Sequence, residues 1–276
     1  MIDSTIDRKA RRHAGARLAG IAAAVVVAAG AASVAYLSTR DAGTADRPST
    51  PTAPAHTEAH QQSRDATEVE RALAARPMLE LPPDAAQPQP LTTQTAEPDI
   101  KLPPPATTVG AWIPGGFPDT PEGALAQLKV LNETALRGGD PDVYGRAYTA
   151  LALRGAPPVE GSGLHTLLSR FRQSAGLSAG QLTQGLTVSY DVTHGLIKGS
   201  ADVGRFTVVC TLGQLRFDYK GHSTAFGIGD CQALRWTGTS WRIGPGSRAA
   251  YAPAAWPGSV DSVKAGYRAL TGGGAR

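Results

Sequence analysis

Cysteine is scarce in this chain. Of 276 residues only Cys210 and Cys231 carry a thiol, and neither belongs to a CxxC pair or has histidine at ligand spacing. A zinc site of the usual tetrahedral kind is therefore not expected. Also missing are the HExxH of zinc hydrolases, a phosphate-cradling P-loop and a GxGxxG opening a βαβ unit, and no cofactor is expected. The formal net charge is only +4, much of it in the N-terminal tail, so direct nucleic-acid binding is not expected either. One string matches a nucleophile elbow by letters, Gly176-Leu-Ser178-Ala-Gly180. An elbow needs a strand before it and a helix after it, whereas here a helical pattern precedes and a strand pattern follows. Ser178 is read as part of a helix-ending loop, and the chain as non-enzymatic. His165, His194 and His222 are scattered through the folded part without a motif.

What the chain does have is strongly segmented. Residues 1–17 hold Arg8, Lys9, Arg11, Arg12 and Arg17 against Asp3 and Asp7. Residues 18–37, LAGIAAAVVVAAGAASVAYL, carry no charge. About 20 apolar residues match the ~30 Å hydrocarbon core of a bilayer. The basic flank belongs in the cytoplasm, which puts residues 38–276 on the outer side of a single-pass membrane protein. A cleaved signal peptide is the alternative reading of the same run, and it exports the same residues. Twelve of the 21 prolines fall between Pro48 and Pro105. Residues 38–111 are therefore expected as a disordered Pro-rich linker, spanning roughly 50 Å even as a random coil. Within it, Asp65 and Glu68 resemble a capping box, with Val69 and Leu73 four apart and Pro77 ending the pattern, so a short helix is predicted there.

Residues 112–276 are expected to form one α+β domain. Thr120 or Asp119 caps a helix whose face carries Leu125, Leu128, Leu131 and Leu136, ended by Gly138-Gly139. A second helix follows Asp140-Pro141, and a third runs over about 163–175. Asn132-Glu-Thr is a glycosylation sequon by letters only, since it lies inside the first of these helices. The period then changes to two, through LTVSYDV, RFTVVCTLGQLRFDY, HSTAFGIGDCQALRW and SWRIG, which read as an antiparallel meander. Trp236 and Trp241 are placed to stack across the last hairpin. The tail SVDSVKAGYRAL reads as a final amphipathic helix.

The two cysteines can be placed by arithmetic. If Lys220-Gly221 is a two-residue hairpin turn, opposed residues sum to 441, and 210 + 231 is also 441. The pair then falls on a non-hydrogen-bonded position, with Cα atoms about 4.5 Å apart. That separation suits a disulfide, which persists outside the cytoplasm. A bulge at Gly213 or Gly229 would shift the register.

Basic tail, single span, Pro-rich segment and helices-then-sheet domain together resemble the NTF2-like subunits of type IV secretion and conjugation machines. IPGGFPDTPEGALAQL, TVVC, DCQALRW and WRIGPG are similar to phrases in actinobacterial membrane proteins associated with conjugative elements, over roughly residues 112–258. The resemblance implies about three helices on a curved antiparallel sheet and a non-catalytic scaffold or assembly role. It also implies other envelope proteins as partners, with homo-oligomerisation left open. The alternatives are an accessory protein of another envelope system, such as lipid import, and a small-molecule-binding or hydrolytic pocket protein.

Overall fold

The computed structural model describes residues 54–109 and 113–272. Four helices precede the main strands: α1 (Pro54–Ala75), α2 (Pro121–Ala135), α3 (Pro141–Leu151) and α4 (Gly163–Ala175). Each of the last three starts where a side-chain cap satisfies an orphan N–H. Thr120 Oγ1 accepts from Gly123 N (3.1 Å), Asp140 Oδ1 from Asp142 N (2.9 Å) and Ser162 Oγ from His165 N (3.2 Å). Pro121 and Pro141 occupy first-turn positions that need no donor, and Gly176 ends α4 in the left-handed conformation.

Three long strands follow, β4 (Leu186–Ala201), β5 (Phe206–Tyr219) and β6 (His222–Trp236), then β7 (Trp241–Ile243). With β1 (Ile100–Leu102) and β8 (Arg268–Gly272) they make one six-stranded sheet in the order β1-β8-β4-β5-β6-β7. A separate ribbon joins β2 (Thr107–Val109) to β3 (Ile113–Gly115). All neighbours in the large sheet are antiparallel except β1 and β8. Register shifts in β4 between Val192 and His194 and between Ile197 and Gly199 bend it and curl the sheet. The fold is α+β, as the change of period predicts.

The β5–β6 register runs without a break from Phe206↔Arg235 to Tyr219↔His222, so Cys210 faces Cys231 and the two form a disulfide, Cα–Cα 4.0 Å. Lys220 (φ 50°) and Gly221 (φ 79°) supply the left-handed turn that this pairing needs. Trp236 pairs with Trp241 across the last hairpin, ring centroids 5.5 Å apart.

Each face of the sheet has its own core. The concave face meets α2, α3 and α4, burying Leu125, Leu128, Leu131, Tyr144, Leu168 and Phe171 against Val209, Phe217 and Phe226. The opposite face carries Val208, Cys210, Leu212 and Cys231, covered by Ala74, Ala255 and Tyr267.

That second layer departs from the expected linker. Residues 64–102 are part of the fold. Glu70 of α1 pairs with Arg235 of β6 (2.5 Å), which also reaches Asp202 (3.1 Å). Lys198 Nζ donates to the carbonyl of Ala74 (3.0 Å) and to that of Arg76, while Arg76 donates to the Lys198 carbonyl. Beyond Pro77 the chain runs along the body, with Trp256 N donating to Ala85 O (2.6 Å) and Thr92 N to Gly258 O (2.8 Å). Ile100 and Leu102 are buried in β1. A Pro-rich segment too polar to build a core can still cover an apolar face that other residues supply. Its extended backbone suits that role.

The tail departs too. The helix stops after one turn, α5 (Val260–Lys264), because Gly266 takes φ 85°. Arg268–Gly272 then becomes a strand, and Leu270 pairs with Ile100. Among the described residues no helix is long and apolar enough to cross a membrane. The predicted span 18–37 and basic tail 1–17 lie outside them.

Candidate functional site

Alternation along β6 sends Phe226, Ile228 and Leu234 into the concave core, and the same parity carries Asp230 and Gln232 there. Asp230 is only 5 % exposed. Its Oδ2 accepts from Asn132 Nδ2 of α2 (3.0 Å) and its Oδ1 from Gln232 Nε2 (3.1 Å). Asn132 Nδ2 also donates to Thr211 Oγ1 on β5 (3.1 Å). The sequon asparagine is thus a fully buried bridge between helix and sheet, closed to glycosylation in the folded state. Burial pushes the Asp230 carboxyl up, against the opposing pull of the Asn132 and Gln232 amides and of Arg248.

Beside Asp230 opens a cleft of about 90 Å³ between β6, the first two turns of α4 and residues 248–254. Its polar lining is Ser162, Thr166, Arg170, Asp230, Gln232 and Arg248; Leu167, Ile228 and three alanines supply apolar wall. Arg248 Nη2 donates to the Pro158 carbonyl, while Nη1 is buried and has no partner. The Tyr144 hydroxyl, from α3, is fully buried, with Ser162 as its polar neighbour. Burial, and then the Asp230 charge, push that phenol well above its ordinary value. Tyr148 is pushed up to about 12, chiefly by burial, and its hydroxyl donates to Pro157 O (2.9 Å). Tyr190 donates to Ile228 O (2.7 Å) and Tyr267 to Pro253 O (3.0 Å). No histidine lines the cleft.

The remaining sequence candidates lie elsewhere. Ser178 is exposed, in the turn between α4 and β4. Its carbonyl accepts from Arg172 Nη1 (2.6 Å), and the same guanidinium holds the carbonyls of Gly138, Gly139 and Gln181 and pairs with Asp140 (3.4 Å). Asp140 in turn accepts from Gly180 N (2.9 Å). The G-x-S-x-G string is thus a pinned turn after α4, and its fixed atoms are backbone. His194 sits at the β4 irregularity near Gly258; burial lowers its pKa and Asp99 partly opposes this. His222 flanks the β5–β6 turn, and His165 lies in the first turn of α4. Among the described residues no cluster of three or more His, Cys, Asp or Glu could hold a metal ion.

Asp230, Arg248 and Tyr144 escape sequence reasoning because residues 86 and 18 apart in the chain meet only in the fold. The one legible signal is a charged residue on the inward parity of a strand. Comparisons with protein-family models, curated proteins and solved structures find no match.

Proposed function

We propose that this chain is a non-catalytic, single-pass membrane scaffold or assembly component of an envelope machine, in particular of a conjugative DNA-transfer apparatus of the type IV secretion kind. The curled sheet with α2, α3 and α4 on its concave face supports an NTF2-like domain of the sort such machines use. The Cys210–Cys231 disulfide supports placement of the domain on the oxidising, outer side.

The observation that carries the scaffold reading is the stitching of the N-terminal approach onto the body. The chain leaves the basic, apolar N-terminus and then enters the domain through α1, the Lys198 clamp and β1. A scaffold has to keep its domain close to its anchor, and docking of residues 64–102 onto the body shortens the free tether that would otherwise separate them. The test is conjugative transfer from a donor lacking the wild-type gene. Ser178→Ala should restore full transfer, and a chain without residues 1–37 should restore none. Normal transfer after deletion of the whole gene would remove the apparatus role.

A further inference from the structure

We propose that the unpaired edge of β6 in this cleft takes the free C-terminal tail of another protein as a short added strand, with the terminal carboxylate held by Arg248. This goes beyond the scaffold reading and does not rest on it.

β7 accompanies β6 only from Leu234 to Trp236, and Gly244 N adds one bond to the Ala233 carbonyl (2.8 Å). Before that level β6 has β5 on one side and no strand on the other. Tyr219 and His222 flank the two-residue turn as a hydrogen-bonded pair, and bonded and non-bonded pairs alternate from there. Even-numbered residues of β6 therefore turn their N–H and C=O toward β5, and odd-numbered ones turn theirs away. Ala233 obeys this, since its carbonyl meets Gly244 on the far side. Gly229 and Cys231 then present theirs to the free edge, where among the described residues nothing hydrogen-bonds to them. Both residues line the cleft, and Cys231 is only 5 % exposed. Backbone groups sheltered from water in this way call for partners, and a free strand edge pairs with an extended chain.

The walls decide which part of a chain fits. Leu167 of the concave core stands on one side of the edge, and Ala249 and Ala252 of the outer layer stand on the other. Alternate side chains of an added strand would meet these two apolar walls in turn. Arg248 and Tyr251 tie the walls together, donating to the carbonyls of Pro158 and Gly161. A strand running through would have to break both ties, whereas a chain end can slide beneath them. Arg248 Nη1 has no partner, and a guanidinium edge suits a planar carboxylate. Arg170 adds a second positive charge to the lining. The one carboxylate there, Asp230, already accepts from Asn132 and Gln232. The void is about 90 Å³, or about 820 Å³ with its open mouth counted, so the insert is a few terminal residues.

The experiment uses the full chain in lipid nanodiscs, with empty nanodiscs as the partition control. The probes, titrated by NMR, are Ac-Thr-Val-Thr-Val with a free carboxylate, its carboxamide, and a carboxamide with Glu in place of the second Thr. The free acid should saturate below about 1 mM and bind about tenfold more tightly than either carboxamide, the scale of one charge-assisted hydrogen bond. At saturation the amide protons of Gly229 and Cys231 should move downfield as new hydrogen bonds form. Those of Asp230 and Gln232, already bonded to β5, should hold their positions. Arg248→Gln should bring acid and carboxamide to nearly equal affinity, a ratio that a loss of stability alone does not change. No saturable binding of the acid below about 1 mM would overturn the proposal. So would a Glu carboxamide that binds as tightly as the acid, unmoved Gly229 and Cys231 protons at saturation, or an Arg248→Gln chain that keeps the acid preference. Gly229 and Cys231 protons that shift when the peptide-free chain is diluted would assign the edge to a second copy, and overturn it too.

Discussion

Arg172 shows how one side chain can fix three segments. It is 3 % exposed, and it ties the end of α2, the start of α3 and the turn after α4 together through four carbonyls and the Asp140 carboxylate. Arg172→Ala would leave Asp140 buried without its cation and the carbonyls without a donor. A loss of roughly 3–5 kcal/mol is expected in denaturant unfolding. Ser178→Ala, three residues past the helix end, should fall within about 0.5 kcal/mol of the parent. Val203 makes the opposite case. It lies at φ 54°, a conformation a β-branched residue adopts at a cost, and its side chain is fully exposed. Val203→Asn should raise stability by about 1 kcal/mol, since Asn tolerates that region. Asp230 adds a pH signature. Its carboxyl titrates above the unfolded value of 3.8 in the folded protein, so the native state holds the extra proton. The cost of ionising it in place is therefore present above the folded pKa. It declines as pH falls toward 3.8 and is gone below that. Asp230→Asn should accordingly show its largest stability advantage at neutral pH, shrinking steadily toward pH 4 in matched denaturation curves.

At the level of elements, the disulfide and the extended strap of residues 76–99 between α1 and β1 share one layer. The bond closes a loop of about 20 residues, for which chain entropy suggests about 3 kcal/mol of stabilisation. The Cys210→Ser/Cys231→Ser pair should lose that amount, read as a lower unfolding midpoint with a steeper slope, because the unfolded chain is no longer held compact by the bond. Lys198 is pushed down to about 8, first by burial and then by Arg76, yet it caps the end of α1 in either protonation state through two carbonyls. Lys198→Ala should free that end, and trypsin should cut after Arg71, which is followed by Ala72, faster than in the parent.

Local chemistry explains which of these elements were readable. Caps at Thr120, Asp140 and Ser162 and the Lys220-Gly221 turn are short-range signals, so α2, α3, α4 and the β5–β6 register follow from the sequence. The strap does not, because its stability comes from Leu212, Cys210 and Arg235, more than 100 residues away. The last strand was hidden for the same reason. Leu270 keeps a helical spacing with Val263 and Tyr267 but is claimed by Ile100. Asp230 could be assigned to the inner parity of β6, but its partners Asn132 and Arg248 could not.

For the molecule as a whole, the folded unit begins well before residue 112. A fragment of residues 112–276 lacks α1, the strap and β1, and so exposes Val208, Leu212 and the disulfide. It should melt at lower temperature than a fragment of residues 54–276, and it should bind a hydrophobic dye that the longer one excludes. Equal melting of the two would mean that the strap is stitched on without contributing to stability.

The pairing of β1 with β8 has a mechanical consequence. The two strands are parallel, and each belongs to a different end of the described chain. Suppose the proposed membrane anchor tugs residue 54 while a proposed partner tugs residue 272. The load then runs along the strands in opposite senses, so the ladder is sheared and its bonds yield together. Before that, α1 and the strap peel off one contact at a time, each at low force, paying out slack. In a single-molecule pulling record this should give a shallow ramp followed by one abrupt rip. An envelope machine that flexes would thus have a compliant leash in series with a stiff stop.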